Sequence, residues 1–175
     1  VTTTTITLTK QVNEDFQCLA QEAVKCASYL LERNQSFLPV VFYLQADGEV
    51  AVADFTGQDE LDTPPDALDY LALAQAALRP LALAGEIRAT ALACDVRMKM
   101  APEEVATDAI RVDLEHRDGN SLSFLQPYTL ETGELALGQG ICQAQTPVIF
   151  APEHDGPEAD VSPTTPDAQD GLNHG

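Results

Sequence analysis

Residues Ala109–Tyr128 read AIRVDLEHRDGNSLSFLQPY, and the fold turns on the alternation in the first half. Ile110, Val112, Leu114 and His116 share one parity; Arg111, Asp113, Glu115 and Arg117 share the other. A period of two over this length predicts a strand with one buried face. Asp118-Gly119 then marks a tight reversal.

The apolar pattern selects the register of that hairpin. A two-residue Asp-Gly loop would oppose Glu115 to Leu122 and Asp113 to Phe124, which mixes faces. A three-residue loop, Arg117-Asp118-Gly119, opposes Leu114 to Leu122 and Val112 to Phe124. A slip by one residue flips every side chain, so the three-residue loop with glycine in the left-handed position is expected.

Working outward, Glu86–Met100 reads as the preceding strand. Leu92, Cys94, Val96, Met98 and Met100 form one face, and Asp95, Arg97 and Lys99 the other. Ile87, Ala89, Ala91 and Ala93 have the opposite parity, which implies a bulge or burial on both faces near Ala91–Ala93. Val40–Gln45 and Glu49–Phe55 form an earlier hairpin across Ala46-Asp47-Gly48, pairing Leu44 with Val50 and Phe42 with Val52. Both its faces are apolar, so it should be central or covered on both sides.

Gln11–Arg33 repeats apolar residues at helical spacing (Val12, Phe16, Leu19, Ala20, Ala23, Ala27, Leu30 and Leu31). Asn13 reads as its N-cap, with Glu14 and Asp15 in the first turn. A second helix starts near Thr63–Asp66, with a stripe of Leu68, Leu71, Ala74, Leu78 and Leu81. Pro80 should kink or end it, and Gly85 closes the segment. Thr132-Gly133 marks a later turn, and Val148–Phe150 is the best last strand. The expected fold is α+β: helix, two strands, helix, three strands and a further one. It would be an antiparallel sheet of five to six strands with both helices on one face. Residues 1–10 read as a lead-in, 11–150 as a single α+β domain, and 151–175 as an acidic, proline-rich disordered tail.

The chain has 175 residues and a formal net charge of −19, from 28 acids and nine bases. Such a field repels nucleic acid and anionic membranes and attracts basic partners. Without the six acids of the tail, 22 acids still face nine bases, a net of −13. No run approaches the roughly 18–20 apolar residues of a membrane span. The start, VTTTTITLTK, lacks the pattern of a signal peptide, so a cytoplasmic protein is expected. Cys18, Cys26, Cys94 and Cys142 include no C-x-x-C pair and read as buried, reduced thiols.

Few residues suggest chemistry. His116 lies beside Glu115, Arg117 and Asp118, as a proton-transfer residue would, and equally as a strand-end histidine would. Cys94 is the candidate thiol partner for His116, and Asp118 the candidate carboxylate. Asp47, Asp54, Asp59, Glu60 and Asp62 cluster in sequence without a calcium-loop pattern, and His154 and His174 lie in the tail. No metal or cofactor is expected. Gly138-Gln139-Gly140 opens no helix and is no nucleotide fingerprint. The charged residues of the two long strands (Arg97, Lys99, Arg111, Asp113, Glu115, Arg117) read either as ion pairs that keep a sheet face soluble or as a docking face for a partner.

The runs AGEIRATALACDVRM, DAIRVDLEHRDG and SFLQPY, over roughly Phe37–Tyr128, resemble a group of small bacterial proteins. The Glu115–Gly119 turn is the strongest element, and the tail departs from the pattern. The resemblance implies no activity and hence no catalytic residue. The element order is similar to that of the profilin-like and roadblock-type folds, which often serve as docking platforms; topology alone warrants no function.

Three functions follow as expectations. The first is a non-enzymatic protein-binding module, for which an inhibitor of a basic toxin would be one form. The second is a small enzyme using His116 with Cys94 or Asp118. The third is a self-associating structural protein, for instance a homodimer.

Overall fold

The computed structural model describes residues 5–53, 67–99 and 101–152. The disordered-tail reading of 151–175 falls almost wholly outside the described residues, as do Asp54, Asp59, Glu60 and Asp62 of the acidic cluster and the histidines His154 and His174.

The strand read from alternation is β4, Thr107–His116. Val112 and Leu114 are buried, and Arg111 is exposed. β5 (Ser121–Glu131) pairs with it antiparallel, Leu114 opposite Leu122 and Val112 opposite Phe124. The turn closes as the apolar pattern requires: His116 N–H donates to Asn120 O, and Gly119 N–H donates to His116 O. β1 (Val40–Gln45) and β2 (Val50–Ala53) repeat this geometry, with Leu44 opposite Val50. Gly119 and Gly48 both stand in the left-handed region, at φ 89° and 95°. A side chain with a Cβ rarely adopts that conformation.

β3 (Ile87–Met98) lies between β1 and β4, giving the order β2-β1-β3-β4-β5. Every residue from Ala89 to Cys94 is buried, so both faces of its centre are covered. Of the two alternatives for Ala91–Ala93, burial on both faces holds; the bulge of this strand lies earlier, where Leu44 faces Ala89 but Gln45 faces Ile87, leaving Arg88 as the extra residue. β6 (Glu134–Leu137) turns back through Thr132-Gly133 onto Tyr128–Glu131, and β7 (Ile141–Ala144) pairs with Leu122–Leu125. The last strand is therefore Ile141–Ala144 and not Val148–Phe150.

α1 (Lys10–Asn34) is capped by Thr9, whose Oγ1 accepts the Val12 N–H, rather than by Asn13. Its stripe of Val12, Phe16, Leu19, Ala23, Ala27 and Leu31 packs on Phe42 and Leu44 of β1, Ala89, Ala91 and Ala93 of β3, and Ile110, Val112 and Leu114 of β4. α2 (Ala67–Leu83) continues past Pro80. It ends when Gly85 and Glu86 donate to the carbonyls of Ala82 and Leu81, a Schellman closure. Ala74 and Leu78 pack with Val41, Ile87, Leu92 and Ile149.

These two clusters lie on opposite faces, because Val41 and Phe42 are neighbours on one strand, as are Leu92 and Ala93. The helices thus sandwich the sheet instead of sharing one face. The reason is the central pair β1–β3, apolar on both sides: one helix would leave Val41 and Leu92 in water. Among the described residues no helix is long and apolar enough to cross a membrane.

Candidate functional site

The turn end of the sheet gathers buried polar groups from four segments. Asp15, on the apolar stripe of α1, is 4% exposed. Its Oδ1 accepts from Gln11 Nε2 (2.9 Å) and Arg88 Nη2 (2.8 Å). Its Oδ2 accepts from Arg88 Nε (3.0 Å) and bonds His116 Nε2 (3.0 Å). Arg88 Nη1 also reaches Ala46 O at 3.4 Å, tying in the first hairpin. Burial by itself would raise the Asp15 carboxyl. The hydrogen bonds from Arg88, His116 and Gln11 outweigh it and hold the group below its ordinary 3.8.

The tautomer of His116 follows from its partners. The Asp118 backbone N–H donates to Nδ1 at 3.1 Å, so Nδ1 accepts. The neutral ring then carries its proton on Nε2 and donates it to Asp15. Phe16 packs edge-on against the ring at 6.0 Å. His116 is 1% exposed and both its nitrogens are engaged, so the ring presents no atom to a substrate. The Asp118 carboxylate, half-exposed, stands 3.7 Å from Nδ1.

Cys94 is not brought to His116. In the β3–β4 register His116 faces Ala89 and Cys94 faces Arg111, so the two side chains lie on opposite faces and five positions apart along β3. Burial first, then the nearby Asp113, pushes the thiol up to about 11. It remains protonated at neutral pH, the reverse of what a nucleophilic thiol needs. The Cys94–His116 pairing expected of a small enzyme is therefore excluded by geometry. Iodoacetamide at about pH 8 should modify exposed Cys18 and Cys142 in the folded protein and leave Cys94 intact until denaturant is added. Rapid native labelling of Cys94, read by peptide mass, would contradict this placement.

The six charged residues expected to share a docking face are divided. Arg97 pairs with Asp108, on the parity of Ile110 and so on the α1 side. Lys99 lies just beyond β3, and Arg117 is exposed in the turn. Arg111 and Asp113 alone stand on the open part of the second face, 2.8 Å apart. The charged parity of β3 and that of β4 fall on opposite faces, because the register sets Arg97 against Asp108 and Leu92 against Asp113.

Glu115 is 4% exposed and serves structure. Its Oε1 accepts from Val148 N–H (2.8 Å), and its Oε2 from Ile149 (2.7 Å) and Phe150 (3.0 Å). Three successive amides make an anion cradle, here filled by the chain's own carboxylate. Arg79 Nη1 donates to the Val148 and Ile149 carbonyls, and Ile149 enters the α2 cluster.

Beyond that strap the second face is open. A groove of about 400 Å³ is lined by Val96, Met98, Arg111, Ser123, Leu125 and Gln143, among others. Ser123 Oγ donates to Asp113 Oδ1 (2.8 Å), and Arg111 Nη2 reaches Gln145 Oε1 (3.4 Å). Of the acids read as a cluster, Asp47 spends an oxygen on the Glu49 N–H. Among the described residues no three His, Cys, Asp or Glu side chains converge as a cation site.

Sequence reading gave Asp15 only a place in the first turn of the helix, which instead begins at Lys10, and gave Arg88 no role. The available signal was that Asp15 and His116 each interrupt an otherwise apolar face. Compared with known proteins, the chain matches no family model, no curated protein and no solved structure.

Proposed function

We propose that this chain is a non-enzymatic protein-binding module that receives its partner on the open half of the second sheet face. The supporting observation is unequal cover. α1 spans the first face from β1 to β4, whereas on the second face α2 and Ile149 cover the β1–β3 side only. The remainder is a shallow concave surface on which Arg111, Asp113, Ser123 and Gln145 form a hydrogen-bonded polar row beside Val96 and Leu125. Mixed apolar and polar surfaces of this kind suit protein contacts. The formal charge of −19 favours a basic protein over nucleic acid. The enzyme alternative loses support because both His116 nitrogens are engaged.

The test compares wild type with Arg111→Glu and Gln143→Arg, both at exposed positions. Protein captured from the native cell by wild type should be lost, by about tenfold in affinity, from both variants at unchanged melting temperature. Undiminished capture by both would overturn the assignment of this face. Light scattering that shows a dimer abolished by the same variants would place a second copy there instead.

A further inference from the structure

The Gly138-Gln139-Gly140 run shapes a groove on the first face of the sheet. Tyr128 faces Leu137 and Leu125 faces Ile141, so Gly138–Gly140 oppose Gln126 and Pro127, three residues against two. This is a bulge. It is held by Gly138 N–H, which donates to Pro127 O, and by Gln126 Nε2, which donates to Gly138 O. A Cβ on Gly140 would overlap the Phe124 ring, so the ring lies directly against the backbone at this glycine.

That ring is one wall of the groove. Phe124 stands opposite Val112, and Leu137 opposite Tyr128, both partners being members of the α1 cluster. α1 crosses β1, β3 and β4 and leaves a space of about 470 Å³ between itself and the β5–β6 side. Ala20 and Val24 of α1 face Phe124 and Leu137 across it. Leu137 is 47% exposed. The helical wall runs from Gln17 to Ser28, roughly 16 Å at 1.5 Å per residue. The volume and the apolar walls are those of a small-molecule site.

Charge specifies the occupant. The chain has 28 acids, yet none lines this groove. Its one charged lining residue is Lys25, flanked on the helix by Gln21 and Ser28. Lys10, Arg88, Arg97 and Arg111 each pair with an acid. Lys25 is exposed and pairs with none among the described residues, Glu22 three positions earlier included. An apolar trough with one unpaired ammonium at its rim matches an apolar chain that ends in one negative group. A second copy or an anionic bilayer would meet the repulsion of a formal charge of −19 and is disfavoured.

We propose that this groove binds one molecule of an unesterified straight-chain carboxylate. The alkyl chain would lie between Val24 and the Phe124 and Leu137 side chains, and the carboxylate would accept from Lys25 and Gln21. The Arg111 groove lies on the opposite face, so the two assignments stand or fall independently.

The probe is decanoate, titrated below its micelle concentration into the ¹⁵N-labelled full chain, with decyltrimethylammonium as control. Decanoate should shift the Ala20, Val24, Phe124 and Leu137 amides and saturate at one equivalent. Affinity should rise about fourfold per added methylene from hexanoate to decanoate. Binding should fall about tenfold in Lys25→Glu and in Leu137→Glu at unchanged melting temperature. It should be kept in Lys25→Arg and in Arg111→Glu, and the cationic control should not bind. Shifts that do not saturate, equal binding of the cationic control, or full binding by both glutamate variants would overturn the proposal. So would shifts centred on the Arg111 groove, or sedimentation of the chain with phosphatidylglycerol vesicles, which would give the groove to a membrane.

Discussion

Replacing Asp15 with alanine should destabilise the protein by about 3–5 kcal/mol, read as a lower denaturant midpoint at unchanged slope. The cost comes from what remains. Arg88 keeps a mostly buried guanidinium without its carboxylate, and the His116 Nε2 proton loses its acceptor. The expected magnitude is that of an uncompensated buried charge, larger than any exposed pair here would give. Lys10–Glu14 and Arg97–Asp108 lie near the surface and should each contribute about 0.2–1 kcal/mol at most. The triple change Asp15→Leu, Arg88→Met, His116→Phe should recover most of the loss, because buried ion clusters can be replaced by packed apolar groups. A triple variant no more stable than Asp15→Ala would show that the cluster also fixes backbone geometry.

The same cluster sets a pH dependence of definite sign. The Asp15 carboxyl is held below its unfolded value of 3.8. On acidification the unfolded chain therefore takes up this proton first. The contribution of Asp15 is complete above about pH 4 and is lost as pH falls through the lower folded value. Urea midpoints measured from pH 6 down to pH 2 should fall more steeply for wild type than for Asp15→Asn across that window. Parallel curves would show that the network does not hold the carboxyl down.

The second large effect is expected at Glu115. Glu115→Ala removes the acceptor for three amides, those of Val148, Ile149 and Phe150. The Ile149 amide is buried and has no route to water without moving the strap; the other two are part-buried. With about 1–3 kcal/mol for a buried group left unpaired, and partial relief at the two outer amides, the total should be about 2–4 kcal/mol. Release of the strap also withdraws Ile149, 1% exposed, from the α2 cluster. The distinctive readout is local. Hydrogen exchange at 148–150 and chymotryptic cleavage after Phe150 should accelerate more than exchange in β3. Glu115→Gln keeps one carbonyl acceptor and should fall between. Uniform loss of protection would mean that Glu115 supports the sheet and not the strap.

The hairpins were legible because two independent signals agree: a glycine where φ must be positive, and a register that sets apolar against apolar. The Leu114–Leu122 and Leu44–Val50 pairings follow from those alone. The placing of α2 was not legible. Val41 and Phe42 are equally apolar, so the strand itself does not say which face a given helix takes. The β3–β4 register was hidden for a different reason. The connection between Met98 and Thr107 is no tight turn, and two faces that each alternate cleanly can be matched in either phase. The observed pairing, Arg97 with Asp108 and Cys94 with Arg111, turns Arg97 and Arg111 in opposite directions. The Asp15–His116 bond spans 101 positions, beyond any local pattern. Even so, an acid on an apolar helix stripe and a histidine on an apolar strand face each need a partner, and each could have been sought as the answer to the other.

The reach of that bond has a bearing on biosynthesis. α1 leaves the ribosome ahead of the sheet it packs on, yet Arg88 and His116 are translated 73 and 101 residues after Asp15. At about 5–20 residues per second, the helix waits roughly 5–20 s with Phe16, Leu19 and Leu31 uncovered and its acid unpaired. Nascent chains stalled before His116 should therefore be bound by chaperones and readily digested, and protection should arrive in one step once β4 has emerged.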